Sequence, residues 1–128
     1  MKATELRIGN WVQTKQTEKQ FQVTTSTFEV LSVVESQYKP IPLTEEWLVK
    51  FGFKFDGHCS FWKSDIELTK DTGEEYYSVF NTHGNSLNRD GIVEHVHQLQ
   101  NLYFALTGEE LQTDEIKKKS NNKLTKIN

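Results

Sequence analysis

Val96-His97-Gln98-Leu99-Gln100-Asn101-Leu102-Tyr103-Phe104-Ala105-Leu106-Thr107-Gly108-Glu109-Glu110-Leu111 sets the architecture of this chain. Val96, Leu99, Leu102, Tyr103 and Leu106 recur at three- and four-residue intervals, so they share one broad helical face, expected to be the main cover of a sheet. Gly108 supplies the left-handed stop expected just beyond a helix C-terminus. Gln98, Gln100 and Asn101 lie near that face, where side-chain amides can serve as buried partners that fix docking. Gln98 otherwise reads as a residue of the polar face, tolerant of alanine.

Ahead of this helix the pattern is mostly that of strands. Gly9-Asn10 offers a turn or bulge before Trp11-Val12-Gln13-Thr14, and a polar loop leads on to Phe21-Gln22-Val23-Thr24, which together predict a β-hairpin. Phe28 to Val34 alternates Phe28, Val30, Ser32 and Val34 with Glu29, Leu31 and Val33, the pattern of a third strand covered on both faces. Three short strands after Gly-Asn suggest an SH3-like barrel portion at the N-terminus, by fold analogy alone. Pro40 and Pro42 then hold the chain extended up to Thr44, an N-cap followed by Glu45 and Glu46 in the first turn of a short helix. Leu43 and Leu48 have hydrophobic-staple spacing, Gly52 is the stop, and Trp47, Leu48 and Phe51 are the expected anchors.

From Phe53 onward, Phe53-Lys54-Phe55, Phe61-Trp62-Lys63, Ile66 to Thr69, Tyr76 to Phe80 and Ile92 to His95 are aromatic and β-branched runs set apart by turn residues such as Asp56-Gly57 and Asp71-Thr72-Gly73. They predict an antiparallel meander, with a long polar loop over residues 81–91. The fold class expected is α+β: an antiparallel meander, with the SH3-like portion, packed against a short central helix and a longer C-terminal helix. Residues 1–111 are expected to form a single domain, the alternative being two very small lobes sharing a core. Residues 112–128 are expected to form a basic, disordered tail.

Aromatic residues make up 12% of the chain, so the core is expected to be built on rings rather than long aliphatic runs. One cysteine, Cys59, excludes an intramolecular disulfide, and no apolar stretch of signal-peptide length follows Met1, which points to a reducing cytoplasm. No apolar run approaches the roughly 20 residues of a membrane span. Residues 1–116 carry ten of the fifteen basic residues and all eighteen acidic ones, a balance of −8. An acidic body repels phosphate, so nucleic acid would have to be met by Lys117, Lys118, Lys119, Lys123 and Lys126.

The chemically suggestive groupings are few. His95 and His97 are spaced as metal ligands on a strand, with His58 and Cys59 as further soft ligands, but no zinc-site grammar accompanies them and boundary residues with one edge in solvent are the plainer reading. Cys59 beside His58 resembles a nucleophile and base, yet neighbours on a strand point to opposite faces, which favours a cysteine that lines a turn or packs as a small hydrophobe. Asp65 and Glu67 have the spacing of an acid/base pair facing one way on a strand, and equally that of a solvated sheet face. Gly84 to Gly91 lacks the spacing of a phosphate-binding loop. Phe61-Trp62 and Tyr76-Tyr77 lack the interleaved basic residues of a stacking platform, leaving core packing as the account of those rings. No catalytic residue, metal site or cofactor is therefore assigned.

Three strings, Leu6-Arg7-Ile8-Gly9-Asn10-Trp11-Val12, Pro40 to Phe53 and Val96 to Leu111, together resemble a family of small uncharacterised proteins encoded by phages, prophages and mobile elements of Bacteroidetes bacteria. The resemblance spans most of residues 4–111 and implies a cytoplasmic protein of an infecting or integrated element, without implying an activity. The strings fall on caps, staples and core faces, which is how a folding signature reads. The expectation is a non-enzymatic accessory or protein-interaction protein. A nucleic-acid-associated factor using the lysine-rich tail is the alternative, and an enzyme assembled from scattered residues is the third class.

Overall fold

A computed structural model describes residues 5–70, 73–81 and 91–113. The fold is of mixed α+β class, with antiparallel sheets and a C-terminal helix. The described residues of Met1–Leu43 and Glu94–Gly108 form one compact unit, and those of Thr44–Val93 and Glu109–Asn128 form a second.

In the first unit, β1 (Trp11–Thr14) pairs with β2 (Gln20–Gln22) on one side and β3 (Tyr38–Pro40) on the other, both antiparallel. Val12 is the central residue, facing Phe21 and Pro40 across the two ladders and fully buried. Leu6, Val12 and Val23 form a small core against which Phe21, Phe28 and Tyr38 pack, Phe21 and Tyr38 meeting edge to face at 5.6 Å. The hairpin is as expected; the third strand is not. Residues Thr25–Val34 form helix α1, and an open three-stranded sheet of order β2-β1-β3 replaces the SH3-like barrel, which is not closed. The cause lies at the start of the segment. The Thr27 N–H donates to the Thr24 hydroxyl (3.3 Å) and the Thr24 N–H to the Thr27 hydroxyl (2.6 Å), a reciprocal cap that starts a helix despite the β-branched residues that follow.

Residues 41–43 run beside 94–96. The Leu43 N–H donates to the Glu94 carbonyl, Val96 N–H donates to Ile41 O, and Pro42, which has no N–H to give, forms an isolated antiparallel bridge with His95. This delivers the chain into α3 (Val96–Thr107). At its start Gln98 Oε1 accepts from the backbone N–H groups of Glu94 (2.9 Å) and His95 (3.0 Å), and at its end Gly108 takes φ +75° while its N–H reaches Phe104 O at 2.8 Å. Val96, His97, Leu99, Gln100 and Tyr103 are the buried positions. Leu102 is half-buried and Leu106 is 44% exposed, so the covered stripe is narrower than the periodicity predicts and turned toward Gln100.

The second unit opens with α2 (Glu45–Lys50), where the Thr44 hydroxyl accepts the Trp47 N–H at 3.4 Å. The helix stops in a Schellman arrangement: Gly52, at φ +87°, donates to Val49 O, and Phe53 donates to Leu48 O, both at 3.0 Å. Trp47, Leu48 and Phe51 are buried, with the Trp47 and Phe51 rings 5.5 Å apart. Strands β4 (Lys54–Phe55), β5 (Ser60–Lys63), β6 (Ile66–Thr69), β7 (Tyr77–Asn81) and β8 (Ile92–Val93) then form a five-stranded antiparallel meander in chain order. The register puts Phe61, Leu68 and Val79 in one row and Tyr77 opposite Val93, and these residues with Ile66 make the buried face. Lys63, on the same face, donates from Nζ to Phe51 O at 2.6 Å, a cation on the last carbonyls of α2. Leu111 and Thr113 are buried, so packed chain continues past the expected boundary at 111.

Candidate functional site

The amides of α3 are committed to structure. Gln100 Oε1 accepts the Trp11 N–H (2.8 Å) and its Nε2 donates to Gly9 O (3.0 Å), so one side chain pairs with the backbone on both sides of Asn10 as a neighbouring strand would. Asn10 Nδ2 donates to Asn101 Oδ1 (3.0 Å), which also accepts from Arg7 Nη1 (3.0 Å), while Asn101 Nδ2 donates to Glu5 O (2.9 Å). Asn10 Oδ1 accepts the Arg7 N–H (2.6 Å); Asn10 and Gln100 are each 1% exposed, and their polar groups are occupied by these bonds. The guanidinium of Arg7 also lies 4.1 Å from the Phe104 ring centroid. Residues of two of the three strings, Leu6 to Val12 and Val96 to Leu111, thus meet in one hydrogen-bond network, which is an architectural use of those residues.

The histidines behave differently from one another. His97 is 2% exposed, neither ring nitrogen has a hydrogen-bond partner among the described residues, and its ring lies nearly parallel to that of His95 at 5.9 Å. Burial, reinforced by the neighbouring His95 charge and opposed by Glu5, pushes the His97 pKa down to about 4. It is a neutral core imidazole rather than the solvent-edged residue expected. Among the described residues no three His, Cys, Asp or Glu side chains gather where they would hold a metal ion.

Asp65 and Glu67 are not brought together as a pair. Asp65 sits in the two-residue Ser64-Asp65 turn, whereas Glu67, on β6, accepts through Oε1 from the hydroxyls of Ser60 (3.1 Å) and Thr69 (3.2 Å). These three belong to the face opposite the apolar row, together with Trp62, which stands across from Glu67. Gly84 and its neighbours, and the lysine-rich tail, lie outside the described residues.

Among the described residues, a grouping of charged, thiol, imidazole and aromatic side chains around a cavity lies on the α2 side of the meander. A pocket of about 330 Å³ is lined by Glu45 at the start of α2, Phe55 on β4, His58 and Cys59 in the β4–β5 loop, Phe61 on β5, Lys70 and Gly73 after β6, and Tyr77 on β7. The loop is pinned by Asp56, whose carboxylate accepts from the N–H groups of His58 (2.8 Å) and Ser60 (3.2 Å); the His58 bond is the main reason its pKa is lowered. His58 and Cys59 therefore lie in a loop rather than on a strand, and both line one pocket instead of diverging. Among the described residues no hydrogen bond links them. Phe55 and Phe61 form a tilted ring pair at 5.0 Å, and Lys70 Nζ stands 5.6 Å from the Tyr77 ring centroid. Tyr77 is 1% exposed, its hydroxyl has no hydrogen-bond partner among the described residues, and burial, then the Glu45 charge, raises its pKa. The groups come from four elements and two loops and share no sequence spacing, so the sequence singles out His58 with Cys59, and Phe61 and Tyr77 as rings, without joining them.

No family model, curated protein or solved structure matches this chain. Among the described residues no helix is long and apolar enough to cross a membrane.

Proposed function

We propose that this chain is a non-enzymatic accessory protein of phage type, acting in the host cytoplasm through contact with a protein partner. The observation that carries the reading is the outer face of α1, where Val30 is 50% and Val33 81% exposed three residues apart, a spacing that puts both on one side of the helix. Val33 is mostly outside the core of its unit and Val30 half outside it, and apolar surface held in water favours an interface. Ile8, Phe104 and Leu106, at 59%, 41% and 44% exposure, add to the apolar surface of the same unit. Asp65 and Glu67 lie apart, Glu67 being engaged with Ser60 and Thr69, and two of the three strings that carry the family resemblance are spent on docking α3. The five lysines between residues 117 and 128, with no acidic residue among them, support the second reading, a nucleic-acid-associated factor.

Quantitative cross-linking in Bacteroidetes cells expressing wild type or a Val30→Gln/Val33→Gln variant distinguishes the two. The proposed function predicts a folded variant that loses about tenfold or more of its cross-linked protein partner. Equal cross-linking by both forms contradicts it, and so does retention that depends only on nucleic acid and falls steeply with salt.

A further inference from the structure

We draw no further inference here: the strongest candidate, the outer face of the meander where the register sets Glu67 between Trp62 and Phe80, is half-buried and nothing in the structure shows what covers it.

Discussion

Asn10 and Asn101 are 91 residues apart in the chain, and the side-chain amide of one donates to that of the other at 3.0 Å. The bond joins the turn before β1 to the middle of α3, and Gln100 reinforces it by pairing with Gly9 and Trp11 on either side of Asn10. Buried polar networks specify one arrangement when every member is satisfied, because any rotation of the helix would strand several groups at once. The network therefore decides which side of α3 is covered, and apolar periodicity follows that choice rather than making it.

The first prediction concerns that choice. Leu99 is fully buried, and Leu99→Ala should cost about 2–5 kcal/mol in denaturant unfolding. Leu106, at 44% exposure, should tolerate alanine within about 0.5 kcal/mol. Equal losses at the two positions would show that the helix is covered on both sides.

The ends of α3 should be sensitive in a way its middle surface is not. Gln98→Ala removes the acceptor of two backbone N–H groups and should cost about 1 kcal/mol, more than a surface glutamine would. Gly108→Ala meets no atom within 4 Å, so its cost of about 1–2 kcal/mol should come from the left-handed backbone alone. Thermal unfolding of the two variants measures both, and Gly108→Asn should recover part of the second loss.

His97 sets an acid limit on stability. Its folded pKa, about 4, is depressed from the ordinary 6.5, so its contribution is present above pH 6.5 and is lost as pH falls through 4. Between pH 7 and pH 5 the loss should be about 2 kcal/mol. Urea unfolding across that range should show a steeper acid decline for wild type than for His97→Phe, which has no proton to take up. Parallel curves would mean that the ring is solvated when folded.

The parts of the fold set by local chemistry could be read from residues. Thr44, Glu45 and Gly52 define α2 by capping alone, and the meander follows from aromatic runs broken at Asp56-Gly57 and Ser64-Asp65. Helix α1 departs from the strand expected because Phe28 to Val34 alternates like a strand while the cap at Thr24 and Thr27 starts a helix, without the usual glutamate or glutamine at its third position. Periodicity gave the wide apolar side of α3 but not the narrower stripe that docking covers, since that depends on Asn10 far away in the chain. The pocket follows the same rule: Glu45 and Tyr77 come to line it only after β4, β5 and β6 have formed between them, and nothing in their spacing announces it. Asp65 and Glu67 failed as a pair because a two-residue turn begins between Lys63 and Ile66, which takes Asp65 off the strand.

The claim that the network between the turn before β1 and α3 builds the fold is tested most directly by a double-mutant cycle on Asn10 and Asn101. Unfolding free energies of wild type, Asn10→Ala, Asn101→Ala and the double variant give their coupling. The account predicts about 1–2 kcal/mol of favourable coupling, with each single variant clearly destabilised. Single variants that lose little, with effects additive to within about 0.3 kcal/mol, would contradict it and return these asparagines to the candidates for function.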